Sequence, residues 1–301
     1  VCISYKDYEV CGMGSPSSGG LTVGQILGIL ENFDLEKQGS SLEAAHLFIE
    51  ASKLAYADRN LYMADKDFIE VPEIGLIDKG YLLNRAKLIT DKASEKATAG
   101  YPKGSEGLLR SLQQQNERTG TTHYVVVDKY GNAASVTSTI ETGFGSRVMV
   151  GGFLLNNELT DFSFFPDRNG RLIANRVQGG KRPRSSMAPT VVLKEGKPFL
   201  ITGSPGGSRI ISYVARTILN VLEWGLDPQA AINSGHIVNR NGVTELEEET
   251  DAINLKEGLE SLGHKVKIRN LNSGLHSILF AQDGTLIGAA DPRREGLVMG
   301  E

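Results

Sequence analysis

Alternation with a period of two dominates the second half of the chain, and helical stripes dominate the first. His123-Tyr124-Val125-Val126-Val127-Asp128 predicts a strand with Val125 and Val127 on one face. Lys129-Tyr130-Gly131-Asn132 is a hairpin signal leading to a second strand over 133–139. Strands over 190–194 and 198–202 turn through Glu195-Gly196-Lys197. Strands over 265–269, 276–281 and 285–289 close the chain, the last two turning through Asp283-Gly284. Ahead of them, a short strand over 7–13 precedes a helix over 21–31, striped by Val23, Ile26, Leu27 and Leu30. Ser40 and Glu43 form a capping box for a helix running to about Tyr56, with Leu42, Ala45, Phe48, Ile49 and Ala55 as its buried side. A further helix is expected over 78–89. Ile210, Ile211, Val214, Ile218, Val221 and Leu222 give the helix from Arg209 to about Trp224 a wide apolar face, with Gly225 as its C-cap. Asp227-Pro228 starts a short helix, and another runs from Asn254 to Leu262. The mixture is α+β.

Residues 91–120 separate the two regimes and are polar and loose, with three Gln in a row and then Asn116-Glu117-Arg118. A flexible linker entering a buried strand at Gly120-Thr121-Thr122 suits a chain that cuts itself there. A Thr hydroxyl is a weak nucleophile and needs a base. Cleavage of Gly120–Thr121 would free an α-amino group titrating near ~7.7–8.0, one residue-length from the hydroxyl. Base and nucleophile would then belong to one residue. Thr-Thr also suits the plain start of a strand.

The totals add limits. At 301 residues the chain fits one large domain or two smaller ones. Apolar residues at 40% and charged residues at 23% make an ordinary globular mix. A net charge of −4 gives no pointer to nucleic acid or an anionic membrane. There is no apolar run long enough for a membrane span. Val1-Cys2-Ile3-Ser4 is neither an initiator Met nor a signal peptide, so the chain reads as a piece of something longer or a processed product. Cys2 and Cys11 make no disulfide framework and are read as free thiols. His46 is read as a packed or surface residue, and Asp58-Arg59 as an ion pair at a helix end.

His-Glu-x-x-His, Cys-x-x-Cys and a Gly-rich loop ending in Lys-Ser/Thr are all absent, so metal hydrolysis and nucleotide binding have little support. Neither Gly-rich loop fits Gly-x-Ser-x-Gly. Gly206-Gly207 ahead of a helix offers backbone N–H groups to an oxyanion, or makes a strand-to-helix turn. The loop 14–20 is open to the same two readings, anion site or turn. Glu158 and Asp161 suit an ammonium group or plain solvent exposure. Ser185 and Ser186, within Lys181-Arg182-Pro183-Arg184-Ser185-Ser186, suit a carboxylate or a basic surface loop. Taken together, these describe a ligand with an ammonium and a carboxylate beside an acyl-transfer centre.

Pro16-Ser17-Ser18-Gly19-Gly20, Thr121-Thr122-His123-Tyr124, Phe144-Gly145-Ser146, Leu155-Asn156-Asn157, Asp161-Phe162-Ser163, Gly180-Lys181-Arg182-Pro183, Ser185-Ser186-Met187, Gly203-Ser204-Pro205-Gly206-Gly207-Ser208-Arg209 and Asp291-Pro292-Arg293 occur in this order. In this the chain resembles the γ-glutamyltransferase family (glutathione hydrolases), N-terminal nucleophile hydrolases. The resemblance implies a four-layer αββα sandwich built from two subunits. Residues 1–120 would be the C-terminal part of the large subunit, and 121–301 the small, catalytic one. It implies self-cleavage between Gly120 and Thr121, Thr121 as nucleophile, Thr139 as its hydrogen-bonding partner, and Gly206 and Gly207 as the oxyanion hole. Glu158 and Asp161 would hold the donor's α-amino group, and Ser185 and Ser186 its α-carboxylate. The implied partners are glutathione and other γ-glutamyl amides, with amino acids or peptides as acceptors. No cofactor, metal, nucleic acid or membrane span is implied, and the family's compartment is often periplasmic or extracellular.

Three departures stand out. The family's large subunit is longer before the cut, and the part lacking here carries the Arg that grips the substrate carboxylate. Glu141 stands where well-studied members have an Asn contacting the substrate, which adds a carboxylate. The segment from Phe162 to Gly180 is short for the lid of some members. A cephalosporin or glutaryl-type acylase on the same fold is the alternative activity. A catalytically inert precursor or fragment is the alternative of another class.

Overall fold

A computed structural model describes residues 1–113 and 120–300. The strands β1 (Cys2–Tyr5) and β2 (Tyr8–Gly12) lead into the helices α1 (Gly19–Leu30), α2 (Leu35–Gln38), α3 (Leu42–Tyr62), α4 (Glu73–Leu76) and α5 (Lys79–Ala86). The hairpin β3 (Thr121–Val127) and β4 (Ala133–Thr139) follows, then two small ones, β5 (Met149–Val150) with β6 (Phe153–Leu154) and β7 (Asp167–Arg168) with β8 (Arg171–Leu172). The remainder is β9 (Thr190–Lys194), β10 (Lys197–Gly203), α6 (Ile210–Leu222), α7 (Pro228–Asn233), β11 (Ile237–Val238), β12 (Thr244–Glu247), α8 (Lys256–Ser261), β13 (Val266–Arg269), β14 (His276–Phe280) and β15 (Leu286–Ala290).

An antiparallel sheet in the order β1-β2-β9-β10-β14-β15 forms the centre. Its two faces follow from the pleat. Leu200 and Val192 pack into one cluster with Ile26, Leu27 and Leu30 of α1 and Ile211, Val214 and Ile218 of α6. Ile201 and Gly203 point the other way, toward the β3–β4 hairpin, which lies across β10 and β14. The described residues thus supply one helical layer and two β layers of the expected sandwich, the second β layer being this hairpin. On the hairpin's outer side Tyr124 and Val126 are exposed.

The β3–β4 approach is close because Gly203 has no side chain. A Cβ there would lie 2.3 Å from the His123 ring. His123 is buried on the inward face of β3, its Nδ1 is 2.9 Å from Thr137 Oγ1, and burial pushes its pKa down to about 3.

Several expectations are corrected. Cys2 and Cys11 are not free: β1 and β2 set them opposite each other with Cα atoms 4.0 Å apart, and they form a disulfide. Ser41, not Ser40, caps α3, its Oγ accepting from Ala44 N at 3.2 Å. The helix runs on to Tyr62, because Asp58 and Arg59 do not end it as a mutual ion pair. Asp58 instead accepts from Gln25, Tyr81, Arg85 and Gly100 N. α3 has no polar outer side over 44–59, where every residue is buried. His46 is a buried, bonded residue, with Nδ1 2.7 Å from His264 Nε2 and Nε2 2.7 Å from Thr90 O. The segment 91–113 lacks helices as expected but is not loose, since α3 and its neighbours bind it at Ser94, Thr98 and Gly100. The triple Gln extends into residues 114–119, which lie outside the described residues. β13 does not join the closing strands; it runs parallel to β12 in a separate three-stranded sheet. The helix expected over 254–262 divides into a 3₁₀ turn, Asp251–Leu255, and α8. Among the described residues no helix is long and apolar enough to cross a membrane.

Gly203→Ala should overpack the contact with His123 and cost about 1–3 kcal/mol. Thermal unfolding of G203A, H123A and the double variant checks this. The account expects the double variant to lose less than the sum of the single losses. Additive losses would contradict the contact.

Candidate active site

Thr121 opens β3 and stands directly opposite Thr139, the last residue of β4. Thr121 Oγ1 donates to Thr139 Oγ1 at 3.1 Å. Thr139 Oγ1 also accepts from Glu141 N at 2.8 Å and directs its own proton at Gly120 O, 3.4 Å away. Its lone pairs are therefore turned to Thr121 and Glu141 N. Gly120 is wedged against the turn after β4, where a Cβ would sit 2.4 Å from Glu141 O. The bond Gly120–Thr121 is thus fixed by a glycine fit on one side and by strand register on the other.

Past β4 the backbone turns sharply. Glu141 has φ +75°, a left-handed conformation costly for a residue with a Cβ. Asn157 braces it: Nδ2 donates to Glu141 Oε2 at 2.8 Å, and Oδ1 accepts from Thr142 N and Oγ1, each at 3.1 Å. A 3₁₀ turn, Glu158–Asp161, follows directly. Glu141, Glu158 and Asp161 form the acidic wall of one cavity. Burial, then the charges of Asp161 and Glu141, push the Glu158 carboxyl up to about 7.

Ser185, Ser186 and Met187 with Arg59 and Arg184 line the same cavity, the charge of Asp161 reaching both arginines. The loop 15–20 clamps the serine segment. Ser18 N and Oγ both donate to Ser185 O, at 2.9 and 2.6 Å, Ser185 N donates to Pro16 O at 3.2 Å, and Ser17 Oγ donates to Met187 O at 2.6 Å. Gly19 must be glycine, since a Cβ would lie 2.2 Å from Met187 O. This loop is a backbone clamp for the Ser185-Ser186-Met187 segment.

Gly207, Ser208 and Ile210 form the third side. Gly206 and Gly207 have φ of 138° and 59°, and a Cβ on Gly206 would strike the Tyr213 ring at 2.7 Å. The turn is anchored by Arg209 to Glu245 at 2.7 and 3.0 Å, by Tyr56 Oη to Ser208 O at 2.5 Å, and by Arg240 to Ser208 Oγ at 2.9 Å.

Thr121, Thr139, Glu141, Glu158, Asp161, Ser185, Ser186 and Gly207 therefore line a single polar cavity of about 70 Å³. Gly206 is buried just before Gly207, and Gly120 enters through its carbonyl. Of the cations before Ser185, only Arg184 reaches the cavity. Lys181 donates to Ala174 O, and Arg182 pairs with Asp65 and Asp67. Sequence reasoning missed Arg59, having assigned it to Asp58. The usable signal was its place on a helix that is apolar on more than one face.

The family model described as Gamma-glutamyltranspeptidase matches residues 1–301. The chain belongs to the γ-glutamyltranspeptidase family. The glutathione hydrolase proenzyme of Escherichia coli (strain K12) is 42% identical, covering 96% of this chain and 50% of that protein. The acylase ACY 1 proenzyme of Pseudomonas sp. (strain SE83) is 37% identical, covering 97% and 50%. The chain spans about half the length of the curated relatives it matches. A solved cephalosporin acylase from Bacillus halodurans superposes with a TM-score of 0.85 at 24% identity, covering 99% of this chain and 52% of that one. That likeness shows the fold, a mixed α+β one shared with that acylase.

The raised Glu158 carboxyl has a consequence for stability. Its folded-state pKa lies near 7 against an ordinary 4.5, so the folded protein holds the proton more tightly. Stability is lost as pH rises through that window. Glu158→Gln should therefore melt above the wild type at about pH 8, with the gain gone near pH 4. The same difference at both pH values would contradict the assignment.

Proposed function

We propose that the protein is a self-processing γ-glutamyl hydrolase or transferase acting on glutathione and related γ-glutamyl amides. The reading is carried by one arrangement: a paired Thr121–Thr139 hydroxyl at a cavity lined both by acids and by serines with arginines. In the first event Thr121 Oγ1 attacks the Gly120 carbonyl, whose oxygen already accepts from Thr139, the C–N bond to Thr121 breaks, and the hydroxyl proton passes to the departing Thr121 nitrogen. Water then cleaves the resulting ester and leaves Thr121 with a free amine. Residues 1–120 belong to the large subunit and 121–301 form the small one, and the two stay together as a heterodimer.

In turnover that amine takes the proton of Thr121 Oγ1 as the oxygen attacks the γ-amide carbonyl. The N–H groups of Gly206 and Gly207 receive the oxyanion. The proton passes to the leaving amine, the C–N bond breaks, and a γ-glutamyl ester of Thr121 remains. Water releases glutamate, or an amino acid or peptide amine takes the acyl group. Glu158, Asp161 and Glu141 hold the α-ammonium, and Ser185 and Ser186 the α-carboxylate.

A glutaryl-type acylase is the second reading, favoured by the similarity to acylase ACY 1. Glutaryl-p-nitroanilide lacks the ammonium that the acidic wall would hold. The protein should favour γ-glutamyl-p-nitroanilide over it by roughly ten- to a hundredfold in kcat/KM, the worth of about 1.5–3 kcal/mol for a charged hydrogen bond. Thr121→Ala should turn over neither. Preference for the glutaryl compound would replace the first reading with the second, and turnover by T121A would overturn both.

A further inference from the structure

Two guanidinium groups lie buried at the cavity wall, and among the described residues the one acid whose charge reaches both is Asp161 of the same cavity. Arg59 is 2% exposed and Arg184 is 5% exposed. Among the described residues neither pairs with a carboxylate. Arg59 donates from Nε to Ser18 Oγ at 2.8 Å, from Nη1 to Asn60 Oδ1 at 3.2 Å and from Nη2 to Ser186 Oγ at 2.5 Å. It also lies over the neutral Tyr56 ring, 5.6 Å from the centroid. Arg184 donates from Nη1 to Arg59 O at 3.1 Å. Lys53 and Arg85 are buried beside acids, Glu50 and Asp58, whereas Arg216 and Lys181 are buried on neutral partners, Ser40 Oγ and Ala174 O, and do not line the cavity. Two buried guanidiniums sharing the charge of one acid that pairs with neither are costly, so an anion beside them would be favoured. Burial lowers the pKa of Arg59 to about 10 and that of Arg184 well below its ordinary value.

The hydrogen bonds also say where the anion sits. A serine hydroxyl has one proton and two lone pairs. Ser186 Oγ already accepts from Arg59, and Ser185 Oγ already accepts from Met187 N at 3.0 Å. Both hydroxyls thereby keep their protons for an acceptor in the cavity, and Arg59 leaves Ser186 a donor. Among the described residues the cavity's own acids make no hydrogen bond to Ser185 or Ser186, though Asn175 bridges Asp161 O and Arg184 N.

We propose that Arg59 is the positioning residue that makes this cavity select a carboxylate: it fixes Ser186 as a donor and, with Arg184 behind it, supplies the charge that the acyl donor's α-carboxylate completes. This rests on the γ-glutamyl reading above. Arg59 is distinct from the carboxylate-gripping Arg that the family resemblance assigns outside this chain.

The test compares γ-glutamyl-p-nitroanilide with 4-aminobutyryl-p-nitroanilide, which keeps the ammonium and lacks the carboxylate. The intact, processed protein is used as wild type, Arg59→Gln and Arg59→Lys. R59Q should raise KM for the γ-glutamyl compound roughly ten- to a hundredfold with a smaller change in kcat. It should leave kcat/KM for the 4-aminobutyryl compound within about threefold, so that discrimination collapses. R59K, which keeps the charge without the planar fork, should recover part of the loss. In parallel, L-glutamate should raise the melting temperature of the wild type and not that of R59Q. Unchanged KM and an unchanged glutamate shift in R59Q would overturn the proposal, as would equal losses on both anilides. A wild type that is stabilised by glutamate yet turns over neither anilide would sink the functional reading, and the glutamate shift of R59Q would still decide the role of Arg59. A wild type that neither binds glutamate nor turns over would overturn both.

Discussion

A helix buried on every side cannot leave its charges to solvent, and α3 carries His46, Glu50, Lys53, Asp58 and Arg59 into the interior. The surrounding chain is arranged to meet them. Glu50 holds Lys53 and Ser94, and His46 bridges His264 and Thr90 O. Asp58 gathers Gln25 of α1, Tyr81 and Arg85 of α5 and the backbone of Gly100. These bonds draw α1, α5, the segment 90–100 and the C-terminal part of the chain around one axis. Losing one partner of such a set would cost about 3–5 kcal/mol, because the other charge would stay buried. Arg59 is the member that this network leaves without an ion pair among the described residues, and it lines the cavity.

The second organising constraint is the approach of the β3–β4 hairpin to the central sheet. Gly203 admits the His123 ring, and Ser135 Oγ donates to Thr202 O at 3.0 Å, so β3 and β4 are seated on β10. Seating the hairpin sets Thr121 at the cavity edge and Thr139 beside it. The loop 15–20 does for Ser185 and Ser186 what β10 does for Thr121. Thr121 and the Ser185-Ser186 pair thus stand on backbone held by glycine fits, at Gly120 and Gly203 and at Gly19, a geometry fixed before any ligand arrives.

Local periodicity revealed β3, β4, β9, β10 and α6 within a residue or two, because each has one apolar face and a turn signal beside it. β1 and β12 were missed for opposite reasons. β1 is four residues long, and without it Cys2 and Cys11 had no visible reason to face each other. β12 reads Thr-Glu-Leu-Glu, yet all four residues are buried, because Arg209 and Arg240 meet Glu245 and Arg293 meets Glu247. α3 defeated the one-face rule in the same way, its polar residues being buried and paired instead of solvated. The cavity residues were legible as motifs, but their convergence was not. Nothing between residues 59 and 186 announces that Arg59 touches Ser186, a contact made only by the fold.

The most direct measurement is the intact mass of the purified protein after incubation at neutral pH, beside Thr121→Ala treated alike. If Thr121 becomes an N-terminal nucleophile, the wild type separates into two fragments divided between Gly120 and Thr121, and T121A stays whole. A wild type that remains one uncut chain, or a T121A protein that is cut at the same bond, would contradict the account.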